Sequence, residues 1–452
     1  MRRLGSAFMG GALTARILRS ATWVMIGYAG AQALRLASNL ILTRLLFPEA
    51  FGLMTLVTVV TVGLMMFSDV GIGPSISQSK RGDDPAFLNT AWTIQVMRGA
   101  ALWAVTLVLA LPMARLYGEP DLALYLPIAG LALVISGFLP TRIETAHRHL
   151  VFGRLTALDL AAQAVGVAAM IGLALATGSV IALVLGSVIT AAAKLALTSA
   201  FLPGLSNRFG LERAALHEQV HFGKWIFLST AFAFVSAQGD KAILGALLDL
   251  GTLGIYNIGF FLASFPMLLG GTLAQQILIP IYRDRPPGES ASNRARLRKM
   301  RVLMTGGIFA LLAVMALAGP WLVGLLYDPR YAPAGAMMVL IALGFLPQAI
   351  GLSYDRAALA AGDSRGVFVY SALRSVLQIG MLYAGFAAFG LIGALAGMGA
   401  GLVASYPLLV RLARRHDAWD AQHDAAFGLG ALGLAALALW LHRDAIAALT
   451  AL

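Results

Sequence analysis

Apolar runs recur from end to end of the chain, separated by short polar connections, and no strand-type alternation competes with them. A helix needs about 20 such residues to cross a bilayer's hydrocarbon. The pattern predicts helices at 21–45, 51–77, 88–111, 122–144, 153–176, 179–202, 222–248, 252–280, 301–326, 333–355, 366–389 and 391–412. A further segment, 426–441, is shorter and Gly-rich and is read as a thirteenth crossing, with an interfacial helix as the competing reading. The fold class is therefore an all-α polytopic membrane protein. The composition, 59% hydrophobic and 12% charged residues, lies far from that of a soluble globular chain.

Charge orients these spans. With the N-terminus in the cytoplasm, 24 of the 33 Lys and Arg fall in cytoplasmic segments and 4 on the opposite side. That asymmetry over short loops sets the expected topology. It also accounts for the net charge of +12 without nucleic acid, because basic residues face an anionic inner leaflet. The start, "MRRLGSAFMGGALTARILRS", has a basic head but no apolar core leading to a cleavage site, so residues 1–20 are read as a basic interfacial segment rather than a removable signal peptide. Zero cysteines exclude disulfides and thiol chemistry. The seven histidines lie in or beside loops; His147 and His149 as a metal pair is the less favoured reading, and no metal or other cofactor is expected.

An internal repeat divides the chain. Sliding 23–54 onto 225–256 superposes Trp23 on Trp225, Ile41 on Ile243, Leu45 on Leu247 and Gly52 on Gly254, and "GFLP" occurs at 137–140 and 344–347. A duplicated six-helix unit keeps its orientation, so the expected architecture is two bundles about an axis along the membrane normal, with a cavity between them. The expected organisation is an N-lobe at 21–203, a linker at 204–221, a C-lobe at 222–415 and a tail at 416–452.

Polar residues inside the spans mark candidate chemistry. In the first span Tyr28, Gln32, Arg35, Asn39 and Thr43 recur at helical spacing and share one face. The eleventh span repeats this with Ser371, Arg374, Ser375 and Gln378, and the third with Gln95 and Arg98. The seventh holds the adjacent Asp240 and Lys241, whose directions on a helix differ by about 100°. The buried charges of the first, third, sixth, seventh and eleventh spans are then Arg35, Arg98, Lys194, Lys241 and Arg374 against a single acid, Asp240. Lys194 sits near a helix end, where it can snorkel, and each of the others alone could serve packing. Five cations against one acid fit an anionic ligand better, since unpaired buried charge is costly. Arginine matches phosphate through its planar fork and lysine supplies a movable point charge. "GLIGALAGMGAG" at 390–401, with Gly393, Gly397 and Gly401 at four-residue spacing, is read as a close-packing face, and "RGDD" at 81–84 as a turn.

"TRLLFPEAFGLM" (43–54) followed by "SDVGIGPSI" (68–76) resembles the opening of bacterial polysaccharide-export flippases, in the superfamily that also holds multidrug exporters and lipid II flippases. "GDKAILGALLDLGTLGIYNIGF" (239–260), "QILIPIYRD" (276–284) and "LLYDPRYAPAG" (325–335) resemble the second-half motifs, and Phe47 departs from the Gly usual before Pro48. The resemblance spans about residues 15–415. It implies two rocking six-helix bundles and translocation of an isoprenoid-diphosphate-linked oligosaccharide from the cytoplasmic to the periplasmic leaflet of the inner membrane. Asp240 falls where the family carries an acid.

The expectation is thus a flippase, not an enzyme. Its substrate-binding residues would be Arg35, Arg98, Lys241, Arg374, Gln32, Asn39 and Gln378, and its ion-coupling residue Asp240. Its partners would be the lipid-linked glycan, the bilayer and glycan polymerase or chain-length machinery. An organic-cation exporter would want an acidic, aromatic cavity instead, and a membrane glycosyltransferase would want acidic residues on sizeable external loops.

Overall fold

The computed structural model describes residues 13–69 and 71–452, leaving aside the side chains of 13–21, 220–229 and 276. The basic segment expected at 1–20 therefore lies mostly outside the described residues. Among those residues the chain is helical, without strands, and it divides into a unit ending at Phe234 and a unit running from Val235 to Leu452.

The first unit holds α1 (Leu13–Leu45), α2 (Pro48–Phe67), α3 (Ile72–Gln78), α4 (Pro85–Tyr117), α5 (Leu122–Gly137), α6 (Arg142–Arg148), α7 (Phe152–Thr177) and α8 (Ile181–Phe201). Helix α9 (Arg213–Leu247) carries the chain across the division, beginning inside the stretch read as a linker. The second unit continues with α10 (Leu250–Leu273), a π-helical turn (Ala274–Leu278), α11 (Ile279–Asp284), α12 (Ala291–Leu326), α13 (Pro333–Gly351), α14 (Tyr354–Ala360), α15 (Ser364–Arg415), α16 (Ala421–Leu441) and α17 (Arg443–Ala447).

Both units interrupt their second and fourth helices. Helix α2 stops before α3 at residues 68–71, where Gly71 takes the left-handed φ of 65°, and α10 passes into α11 through the π turn. Helices α5 and α6 meet at 61°, and α13 gives way to α14 at Leu352–Ser353. The two "GFLP" copies do not occupy equivalent places in this pattern. Gly137 ends α5 and Pro140 lies in the bend, whereas Gly344 and Pro347 lie inside α13. The shared break is thus a stronger sign of duplication than the tetrapeptide.

Nine helices among the described residues, ten if the α5–α6 pair counts as one span, are long and apolar enough to cross a membrane. Helix α16 is one of them, so the thirteenth segment has the length and composition of a span. Helices α1 and α9, at 33 and 35 residues, are long enough, but their polar stripes keep them below that apolarity. The 52-residue α15 is two antiparallel arms joined at Phe389 and Gly390, whose backbone is non-helical. Hydroxyls within the spans bond back to their own helix, as Thr55 does to the Phe51 carbonyl at 2.7 Å and Thr61 to that of Val57 at 2.8 Å. No hydroxyl so bonded is left unsatisfied in lipid.

The glycines of 390–401 form the close-packing face that their spacing implies. A Cβ on Gly393 would lie 2.0 Å from the Gly385 carbonyl, one on Gly397 2.1 Å from that of Met381, and one on Gly401 2.4 Å from the Gln378 Cα. All three contacts run between the arms of α15, so backbone meets backbone and no side chain can yield. Gly393→Leu should therefore destabilise the detergent-solubilised protein by at least about 1–3 kcal/mol. Gly380→Ala, which meets nothing within 4 Å, should leave the melting temperature unchanged or raise it. Equal melting of the Gly393→Leu variant and the parent would refute the assignment.

Candidate functional site

The third helix of each unit carries an arginine directed at the breaks. On α4, Arg98 donates from Nε to the Ser68 hydroxyl at 2.9 Å and from Nη2 to the Met65 carbonyl at 2.7 Å, with Asp69 4.0 Å from Nη1. These groups close the C-terminal end of α2, where carbonyls lose their helical donors. One turn away, Gln95 Nε2 lies 3.1 Å from the carbonyls of Ser136, Gly137 and Leu139, at the α5–α6 bend. On α12, Arg301 is buried and donates to the Ser353 hydroxyl at 2.8 Å, the Tyr282 hydroxyl at 3.0 Å and the Ala418 carbonyl at 2.7 Å. Its guanidinium lies 4.6 Å from the ring centre of Tyr354 and 3.7 Å from Asp420. Ser353 lies in the α13–α14 break and Tyr282 in α11, so this one side chain joins both interrupted helices of the second unit.

Other cations have carboxylate partners that the sequence reading missed. Lys194 of α8 pairs with Asp159 of α7 at 2.9 Å. Asp355 of α14 lies within electrostatic reach of Arg374 and 3.6 Å from Arg356. Asp240 is thus not the only acid in the spans, because Asp159 and Asp355 fall inside stretches read as membrane helices. The imbalance of five cations against one acid shrinks accordingly.

In the second unit α9, α10 and α15 converge on the motif at 240–241. Asp240 is buried and accepts a hydrogen bond from the fully buried Tyr256 hydroxyl. Lys241 turns away from it, its Nζ 4.7 Å from the centre of the Phe260 ring. Tyr256 and Phe260 are neighbours one turn apart on α10, so adjacent residues of α9 reach successive turns of one facing helix. A hydrogen bond between the Ser236 and Ser375 hydroxyls and the seating of Gly239 against Ile379 hold α9 to α15. Arg374, beside Ser375, lies 5.9 Å from the Tyr370 ring centre and leaves its buried Nε without a hydrogen-bond partner. Gln378 sits one turn further along at the crossing with Gly401.

In the first unit α1 packs along α7, with Gly27 against Thr156 and Gly30 against Leu160. Gln32 is buried and donates to the Tyr28 hydroxyl at 3.1 Å, while its Oε1 has no partner. Asn39 is half-buried, its carbonyl accepting from the Thr43 hydroxyl at 2.8 Å. Between them Arg35 is exposed and makes no hydrogen bond, ion pair or ring contact among the described residues.

Residues 41–335 match the family described as polysaccharide biosynthesis protein. The chain belongs to that family. Lipopolysaccharide biosynthesis protein WzxC of Escherichia coli (strain K12) is 22% identical over 347 residues, 75% of this chain and 69% of that one. Succinoglycan biosynthesis transport protein ExoT of Rhizobium meliloti (strain 1021) is 23% identical over 338 residues, 72% of this chain and 66% of that one. Among solved structures, an inward-facing MATE family multidrug resistance transporter of the MOP superfamily aligns with a TM-score of 0.63 at 13% identity, over 85% of this chain and 94% of its own. Lipid II flippase MurJ in an inward closed conformation gives 0.63 at 11% identity, over 93% and 99%. At such identities the likeness establishes the fold alone, a two-lobed membrane bundle.

For a member of the polysaccharide biosynthesis family, the polar groups inside the spans divide by what they touch. Arg98, expected to meet a ligand, is committed to the end of α2, and Lys194 to Asp159. Arg301, the first residue of the helix expected at 301–326, was not singled out because it stands at the edge of an apolar run; the structure buries it as a principal clip. "RGDD" is the expected turn: Arg81 binds Asp84 and, at 2.7 Å, Glu212, while Asp83 binds Arg148 at 3.1 Å and His149 at 2.8 Å. His147 takes Glu144 instead, and no cluster of metal-ligating residues occurs among the described residues.

Arg98→Ala should remove two charge-assisted hydrogen bonds, to the Met65 carbonyl and the Ser68 hydroxyl, and lower stability by about 1–3 kcal/mol. Arg35→Ala should change it by less than about 0.5 kcal/mol; equal melting shifts in the two variants would contradict the division. A pH effect belongs to Asp83. The hydrogen bond from His149, opposed by desolvation, holds its pKa below the ordinary 3.8. A depressed carboxylate stabilises the fold above that value and loses the effect as pH falls through its own lower pKa. Acidification from pH 6 to below about 3.8 should therefore lower the melting temperature of the parent more than that of Asp83→Asn. A parallel decline in both would remove Asp83 from the account.

Proposed function

We propose that this chain moves an isoprenoid-diphosphate-linked oligosaccharide from the cytoplasmic to the periplasmic leaflet of a bacterial inner membrane, by alternating access, with its N-terminus in the cytoplasm. The observation that carries the reading is Arg35. It is an exposed cation on a polar helix face, without a partner among the described residues, in a chain that pairs or caps with Arg98, Lys194 and Arg301. A cation held ready in a membrane helix calls for an anion that comes and goes. The family assignment and the names of the relatives support a glycan-bearing anion rather than a free one.

Arg35 would take the diphosphate, with Arg374 and Lys241 as the second-unit cations. Gln32, Asn39 and Gln378 would hydrogen-bond sugar hydroxyls, and the orphaned Gln32 Oε1 is an acceptor suited to one. Arg98 contributes by keeping α2 and α3 in place. Asp240, buried against Tyr256, would be the carboxyl that exchanges a proton during the cycle. The lipid tail would stay among the helices, and a glycan polymerase would receive the product. An organic-cation exporter shares the fold, but an exposed arginine without a partner among the described residues favours an anionic cargo.

Arg35→Ala should abolish surface glycan and accumulate lipid-linked intermediate in cells that insert the protein normally, with Arg35→Lys retaining part of the activity. Wild-type glycan levels in Arg35→Ala cells would sink the proposal. For the coupling role, Asp240→Asn in proteoliposomes should remove the response of lipid translocation to an imposed pH gradient; an undiminished response would exclude Asp240.

A further inference from the structure

A groove of about 510 Å³ opens between the two arms of α15 at their basic end. One wall is the stripe Arg365, Val369 and Leu373 from the start of the first arm; the other is Leu408, Arg411 and Arg415 from the end of the second. Because the arms are antiparallel, Arg365 and Arg415 stand together at the rim, Val369 and Arg411 about one turn in, and Leu373 and Leu408 deeper. The groove is therefore cationic at its mouth and apolar below. Arg365 and Arg411 are exposed and make no ion pair among the described residues. The one acid at the rim, Asp363, is already engaged by His416 at 3.0 Å and by the Gly366 amide at 2.8 Å. Arg414, the other arginine of this end, lies on the opposite side, 3.9 Å from the Trp419 ring centre.

We infer that this groove binds an anionic phospholipid, its phosphate held by Arg365, Arg411 and Arg415 and its first acyl carbons laid against the apolar walls. A soluble anion would use the rim alone and leave the walls wetted. A lipid-linked glycan would need donors and acceptors for its sugars, and below the rim the lining offers one hydroxyl, that of the buried Tyr370. Val369 and Leu373, with 46% and 43% of their surface exposed, continue the groove outward onto the lipid-facing side of the helix. The arms approach closely beside the rim, where a Cβ on Gly366 would stand 2.7 Å from Leu412 Cδ1. Basic pockets between membrane helices recognise acidic headgroups in this way.

The test uses the full chain in mixed micelles, with phosphatidylglycerol and phosphatidylcholine as probes and bound lipid counted by native mass spectrometry. Phosphatidylglycerol should be retained over phosphatidylcholine. Retention should fall roughly tenfold or more in the triple variant Arg365→Gln, Arg411→Gln, Arg415→Gln, and likewise in Val369→Trp, which fills the groove without removing charge. Unchanged melting in Val369→Trp shows that the loss is not unfolding. Equal retention by the parent and both variants overturns the site. Displacement by glycerol phosphate at matched concentration would make it a plain anion site, and preferential displacement by undecaprenyl diphosphate a substrate site; either result overturns the assignment to phospholipid.

Discussion

A backbone carbonyl released inside a bilayer must find a donor, because no water is at hand to supply one. This protein departs from a regular helix twice in each unit, most sharply at the 61° bend between α5 and α6. The first unit answers with Gln95 and Arg98 of α4, while Arg148 donates to the carbonyls of Ile76, Ser77 and Ser79 at the end of α3. The second unit places Arg301 of α12 between α11 and the α13–α14 break. In both, the third helix is the one that joins the broken second to the broken fourth. Without Gln95 and Arg98 the carbonyls at the α5–α6 bend and at the end of α2 would lose these hydrogen bonds.

That constraint sorts the charges. Arginine suits the end of a helix for the same reason that it suits a phosphate: several donors in a fixed fork, and a charge that burial does not readily remove. A cation in a membrane helix is therefore ambiguous until its neighbours are known. Once the clips and the cations with a carboxylate partner are set aside, Arg35 on α1 and the pair at Asp240 and Lys241 remain. Helices α1 and α9, which carry Arg35 and Asp240, are the long helices of their halves outside the nine apolar enough to cross a membrane among the described residues. Position in the repeat and polarity point to the same pair of elements.

The spans were legible in the sequence because run length against bilayer thickness leaves few alternatives, and the glycine face at 390–401 was legible because its period matches a helical turn. The stripe on α1 could be read in the same way. The partners could not. Asp159 meets Lys194 only after two helices fold back on each other, and neither the sequence spacing nor the residue types predict that meeting. Arg98 shared the spacing and polarity of a ligand residue, and what made it a clip was the end of α2, thirty residues earlier in the chain. Arg301 was hidden by its place at the margin of an apolar run. The two "GFLP" copies sit differently within their helices, so they carry less of the case for duplication than the recurring breaks do.

The turn at Phe389–Gly390 leaves almost no loop between the arms of α15. With no loop between them the two crossings cannot slide past one another, so the register of Gly393, Gly397 and Gly401 against the first arm is set by the turn itself.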